Sequence, residues 1–175
     1  DIAIIYRTNA QSRLIEEEML KNNIPYKIVG SFYFYNRKEI KDLICYLRLI
    51  NNTKDDVSLT RVINVPKRGI GDKTIESIND IATERNIPLF DAISTGKELK
   101  FKELIEDLIK ESASLSLTEL VDLVLDKTGM REELKMEHTL ESEIRLENLE
   151  EFKSITKSYE EEYGVISLDD FLNEI

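Results

Sequence analysis

The stretch VINVPKRGIGDKTIESI, Val62 to Ile78, decides how the chain folds. An apolar run stops at Pro66, and a proline placed there ends whatever element precedes it. Gly69 and Gly71 bracket a single isoleucine, and from Asp72 onward the apolar positions recur at helical spacing. The segment before it, DDVSLTRVIN (Asp55–Asn64), also has helical spacing, with Asp55 or Asp56 as N-cap. The stretch therefore reads as helix, tight turn, helix. It is not a nucleotide-binding loop, because the G-x-x-x-x-G-K-[ST] spacing is missing and no strand precedes it.

The turn is also cationic, with Lys67, Arg68 and Lys73 around the two glycines. Glycine admits positive φ and lets a ligand approach the backbone. The first amides of the following helix have no partner within it and present a partial positive charge. Thr74 adds a hydroxyl in that first turn. Such a turn suits a phosphate, read by charge and shape and not by base identity. Ile70 would plug between the two helices and hold the hairpin. The local pattern fits an ordinary wet, basic turn equally well.

Working outward, the same helical period runs through most of the chain. Ile40, Leu43, Ile44 and Leu47 make one stripe of a helix from about residue 37 to 50. Further helices are expected over 72–86, within IPLFDAIS (Ile87–Ser94), and over 98–110, 116–127, 130–136 and 140–162. Ser116 and Thr118 offer caps, and Gly96, Gly129 and Gly164 mark stops. The first thirty residues differ. IAIIYR (Ile2–Arg7) is a continuous apolar run of strand length, SRLIEEEMLKNN is helical, and YKIVG (Tyr26–Gly30) reads as a second strand. One β-α-β unit cannot form a stable sheet by itself. The expected fold is mainly α: a β-α-β fragment over 1–30 and a helical domain over 31–175.

Composition narrows the functional classes. The chain has 175 residues, a formal net charge of -11, one cysteine and one histidine. Arg37–Thr74 holds nine bases against five acids, so it carries +4 while the remainder carries -15. Glu137–Glu174 holds twelve acids against three bases. A whole this acidic does not bind nucleic acid indiscriminately, but its basic stretch could do so locally. No apolar run reaches the ~20 residues that span a bilayer. The chain opens without Met and without a basic leader, and reads as excised from something longer. The lone Cys45 permits no internal disulfide, which fits a reducing compartment. It lies on an apolar helix far in sequence from His138, so a nucleophilic pair is not legible, and His138 alone suggests no metal site. Glu16, Glu17 and Glu18 read as surface and helix-dipole residues. Tyr33, Phe34 and Tyr35 could stack on bases, but packing at an interdomain hinge is the better reading. The acidic segment 140–162 reads as a solvated face, with a protein-contact surface as the alternative.

Several motifs together resemble the superfamily 1 DNA helicases of the UvrD/PcrA/Rep family: YRTNAQSR near the start, RKEIKD at residues 37–42, PKRGIG at 66–71, and ESEIRLENLEEF at 141–152. The likeness is nearly continuous over residues 1–95 and weak over 96–139. It implies a piece of the RecA-like motor domain 2A (1–30) followed by most of the helical accessory domain 2B (31–175), with a helix-hairpin-helix-type element. On this resemblance Arg7 and Asn9 would touch single-stranded DNA. Lys41 and the hairpin Lys67, Arg68, Gly69, Ile70, Gly71, Lys73 and Thr74 would touch the duplex. It implies an ATP-dependent 3′–5′ DNA helicase acting in repair or replication, in the bacterial cytoplasm and associated with the nucleoid. ATP and Mg²⁺ would be bound by parts of the parent that this chain lacks; the fragment itself would have no catalytic residue, metal or cofactor and would be inactive. Partners would be duplex and single-strand junctions, the rest of the helicase chain, and repair or transcription proteins, with no membrane. The alternative role is an autoinhibitory or protein-interaction module with little DNA binding of its own.

Overall fold

The structure is a computed structural model that describes residues 2–5, 15, 18–19, 21–26 and 34–175. The chain divides into two compact units, Asp1–Arg37 and Lys38–Ile175. Among the described residues of the first unit there is no strand. Ile2–Ile5 is unpaired, with Ile2 95% and Ile5 96% exposed. The remainder of the expected β-α-β piece, the second strand included, lies mostly outside the described residues. At the end of this unit Phe34–Asn36 forms one 3-10 turn, with the Phe34 and Tyr35 rings edge-on at 5.3 Å and the Arg37 guanidinium 5.3 Å from the Phe34 ring. Of the aromatic cluster, Tyr33 lies outside the described residues.

The second unit contains nine α-helices among the described residues: α1 (Lys38–Asn51), α2 (Asp56–Val62), α3 (Asp72–Arg85), α4 (Leu89–Ala92), α5 (Gly96–Ser112), α6 (Leu117–Lys127), α7 (Met130–Glu137), α8 (Leu140–Tyr163) and α9 (Leu168–Glu174). The chain is mainly helical, as the period of its apolar residues implies. None of the described helices is long and apolar enough to cross a membrane.

α1 is the central post. Ile40, Leu43, Tyr46, Leu47 and Leu49 are fully buried, and α2, α5, α6, α8 and α9 pack around it. Its polar residues are paired where they are buried. Asp42 accepts from Arg61 Nε of α2 at 2.8 Å, and Asn148 Nδ2 of α8 donates to Glu39 Oε1 at 2.6 Å. Burial raises the Asp42 pKa, against the pull of Arg61. Only one wedge of α1, carrying Lys38, Lys41, Cys45 and Arg48 at helical spacing, reaches solvent.

α8 buries Leu149, Phe152 and Ile155 and turns most of its glutamates outward, Glu160 instead accepting from Thr118 of α6. Its start is capped by Thr139, which accepts from the Ser142 amide. α9 extends the helical order beyond the expected segments. Ser167 caps it, and Phe171 inserts fully buried against Phe152 (5.9 Å) and Tyr159 (5.3 Å). One phenylalanine thus fixes a seven-residue helix that has too little propensity to stand alone.

Candidate nucleic-acid interface

The turn between α2 and α3 is built from inside. α2 runs into buried Val62 and Ile63. The Asn64 side chain then closes the loop, its Oδ1 accepting from the Arg68 amide (2.8 Å) and the Ile70 amide (3.2 Å). Beneath it the fully buried Tyr46 hydroxyl shares its proton between the carbonyls of Val62 (3.3 Å) and Val65. Burial pushes that phenol up to about 12, so it remains a donor at any physiological pH. Gly69 has φ +71, a conformation that costs an L side chain ~1 kcal/mol or more. Ile70 is 1% exposed, so it plugs the helix pair as its place between two glycines implies.

The three cations expected around the turn separate into two kinds. Arg68 faces inward. Its guanidinium donates to the carbonyls of Pro66 (3.0 Å), Val62 (3.4 Å) and, across to the end of α6, Thr128 (3.0 Å). It also lies 5.3 Å from the Phe101 ring and 5.9 Å from the Tyr46 ring. Lys67 and Lys73 are exposed, and Thr74 in the first turn of α3 is half-buried. A fourth cation joins them. The ammonium of Lys97, from the first turn of α5, lies over Gly69, where an added Cβ would be 2.6 Å from Nζ.

The start of α3 has no side-chain cap. Its N-cap is Gly71, whose carbonyl accepts from the Thr74 and Ile75 amides. Among the described residues no acceptor meets the amides of Gly69, Gly71, Asp72 or Lys73. α2, α6, α8 and α9 each have a side chain from Asp55, Ser116, Thr139 or Ser167 accepting from the first turn, whereas α4, α5 and α7, like α3, have no side-chain cap. Gly71 itself is extended (φ -93°, ψ 176°), and nothing lies within 4 Å of where a Cβ would stand. Its missing side chain is thus not required by the backbone, and it leaves the amides uncovered. Beside them opens a cleft of about 300 Å³ with Lys73, Thr74 and Ser77 on one wall and Ser94, Thr95 and Glu98 on the other.

Lys41 lies on α1 in the half-exposed wedge with Cys45 and Arg48. The α1 residues that meet the turn across a separate cleft are Lys38, Glu39 and Asp42. Arg7 and Asn9 lie outside the described residues. Tyr46, Asn64 and Lys97 do not stand out by pattern. Tyr46 carries a weak signal, a lone polar-tipped ring within an apolar stripe. Lys97 carries none, being nearly thirty residues downstream of the glycine it covers. Among the described residues no group of three or more His, Cys, Asp or Glu side chains could hold a metal ion.

Residues 1–175 match the family described as UvrD-like helicase C-terminal domain. The chain is 52% identical over 172 residues to the ATP-dependent DNA helicase PcrA of Staphylococcus aureus, which covers 92% of this chain and 24% of that protein. It is 51% identical, over the same shares, to the ATP-dependent DNA helicase PcrA of Staphylococcus epidermidis. The chain thus spans about a quarter of the length of these curated relatives.

Proposed function

The chain belongs to the family of UvrD-like helicase C-terminal domains, and on that premise we propose that its second unit grips duplex DNA for an ATP-dependent 3′–5′ DNA helicase. The α2–turn–α3 element serves as a helix-hairpin-helix. Phosphate oxygens sit on the uncovered amides at the start of α3, with Thr74 donating its hydroxyl and Lys67, Lys73 and Lys97 supplying charge. The observation that carries this reading is the bare, side-chain-free start of α3 at Gly71 with three exposed lysines around it.

Arg68 has a different task in this reading. Its donors are committed to protein carbonyls, so it shapes the turn that others use. Lys41 is a second, separate contact further along the duplex. The β-α-β piece belongs to motor domain 2A, where Arg7 and Asn9 meet the single strand. ATP and Mg²⁺ are held by portions of the parent outside this chain. The acidity of the remaining surface confines DNA to the one basic element and opposes adhesion elsewhere.

The test is a fluorescence-anisotropy titration of the chain with two duplexes of unrelated sequence over a range of salt. Lys67→Ala, Lys73→Ala and Lys97→Ala should each weaken both duplexes alike. Each should also flatten the slope of log K against log salt by about 0.9 for every phosphate no longer neutralised. Unchanged slopes, or weakening for one sequence only, would refute the phosphate grip.

A further inference from the structure

The first turn of α5 carries one charge of each sign, Lys97 and Glu98, and both lie beside the hairpin. The Lys97 ammonium reaches back over Gly69. Glu98 instead lines the cleft of about 300 Å³ that it shares with Lys73 and Thr74 of α3. Its carboxylate bends over the start of its own helix, so that a Cβ added at Gly96 would stand 2.7 Å from Oε2 and 3.0 Å from Oε1.

This carboxylate keeps its charge for the cleft. Among the described residues it forms no ion pair. The cation best spaced to neutralise it is Lys102, four residues further along α5. Lys102 is committed elsewhere: its Nζ donates to the Ile93 carbonyl at 3.3 Å and lies 5.2 Å from the centre of the Phe90 ring. Glu98 is also half-buried, so water screens it less than a fully exposed acid. Asp72, the acid within the hairpin segment itself, is exposed and does not line the cleft.

We propose that Glu98 is an electrostatic brake on the hairpin, a residue whose charge opposes the phosphate that Lys67, Lys73 and Lys97 attract. The inference rests on the duplex-gripping role proposed above and names what limits that grip. A phosphate seated on the α3 amides brings a negative charge to the mouth of the cleft, where Glu98 repels it across water. Three lysines outnumber one acid, so the site still binds, but more weakly than its lysines alone would allow. The brake acts on charge and reads no base, so it lowers affinity alike for every duplex. A moderate affinity suits a unit that must pass one phosphate after another of a moving duplex.

The experiment is an anisotropy titration of the 175-residue chain with a fluorescein-labelled duplex over a salt series, with thermal melting of each variant alongside. Glu98→Gln keeps the shape and removes the charge; it should tighten binding about threefold at low salt. That gain should shrink as salt rises and the Debye length falls from ~10 Å at 0.1 M to ~3 Å at 1 M. Glu98→Lys should tighten binding about tenfold and steepen the slope of log K against log salt by about 0.9, one further phosphate being neutralised. Glu143→Gln makes the same change of net charge on α8, outside the cleft, and should bind like the parent. The proposal is overturned if Glu98→Gln binds like the parent; a lowered melting temperature would then make Glu98 a partner of the α5 dipole only. It is also overturned if Glu98→Gln weakens binding, or if Glu143→Gln tightens it equally, which would reduce the effect to overall charge. Where Lys73→Ala weakens binding and Glu98→Gln changes nothing, the brake alone fails. Where the parent does not bind duplex even at low salt, the grip fails and the brake with it.

Discussion

Replacing Arg68 by alanine separates a brace from a DNA contact, because the two roles move different observables. The guanidinium makes two well-placed bonds, to Pro66 and Thr128 carbonyls at 3.0 Å each, and a marginal third to Val62 at 3.4 Å. It also lies over two buried rings. Hydrogen bonds to a charged group are each worth ~1.5–3 kcal/mol, and a partly exposed cation–π contact ~0.5–1 kcal/mol. Arg68 is half-buried, so water recovers part of this when the side chain is cut. A net cost of ~2–4 kcal/mol follows. For a unit of this size ~1 kcal/mol moves the melting temperature by ~3–5 °C, so Arg68→Ala should lower it by roughly 10 °C. Arg68→Lys should recover little, since an ammonium has no planar fork to reach carbonyls on both sides. The assay is thermal melting by circular dichroism, run beside the salt-dependent DNA titration. A variant that melts within ~2 °C of the parent while its salt slope drops by ~0.9 would refute the brace and make Arg68 a phosphate contact.

The two glycines of the turn should respond oppositely. Gly69→Ala forces a side chain to φ +71 and displaces the flexible Lys97 ammonium, so it should cost ~1–2 kcal/mol in chemical denaturation. Gly71→Ala meets open space at φ -93° and costs only the lower N-cap preference of alanine, under ~1 kcal/mol, yet should weaken duplex binding by covering the α3 amides; unchanged DNA affinity would count against the grip. The pH profile should report the α6–α8 junction. Partial burial pushes the Glu160 carboxyl up, but bonds from the Thr118 hydroxyl (2.7 Å) and amide (3.1 Å) outweigh it and leave its pKa lowered. Asp122 is likewise lowered, its burial outweighed by bonds from Lys153 and Arg131. A folded pKa below the unfolded one gives stability that is complete above the ordinary carboxylate range and disappears as pH falls through the folded value. Melting temperature should therefore fall on acidification below about pH 4.5, and Glu160→Gln should flatten that fall; an unchanged acid limb would show that this carboxylate is not coupled to folding.

The helical order was legible because each long segment repeats its apolar residues at one period. α1 needs only Ile40, Leu43, Ile44 and Leu47 to declare its buried face, and all four are buried. α9 was not legible because a single buried side chain, Phe171, carries it, and one residue has no period. The strand-like run Ile2–Ile5 shows the converse. Its pattern describes a strand covered on both faces, and a strand forms only against neighbours that pair with it. Among the described residues it has none.

At the candidate site, sequence marks the basic glycine turn but not which way its cations point. Counting cations near Gly69 treats Lys67, Arg68 and Lys73 as equivalents, since sequence carries charge and not direction. Direction is decided by acceptors far off in the chain. Thr128 ends α6, and its carbonyl stands where a forked, weakly hydrated cation can be held. Phe101 and Tyr46 present ring faces to the same group. An arginine at 68 is therefore drawn inward, whereas Lys67 and Lys73 remain in water. The charge withdrawn at Arg68 reappears at Lys97, seated over Gly69 from the start of another helix. The positive field at the hairpin is thus assembled from two segments of the fold and not from one basic run. This accounts for how a chain of net charge -11 can keep a small cationic site. The field at α3 depends on a few near cations within a Debye length of ~8 Å, while the acids of the distant helices are screened from it.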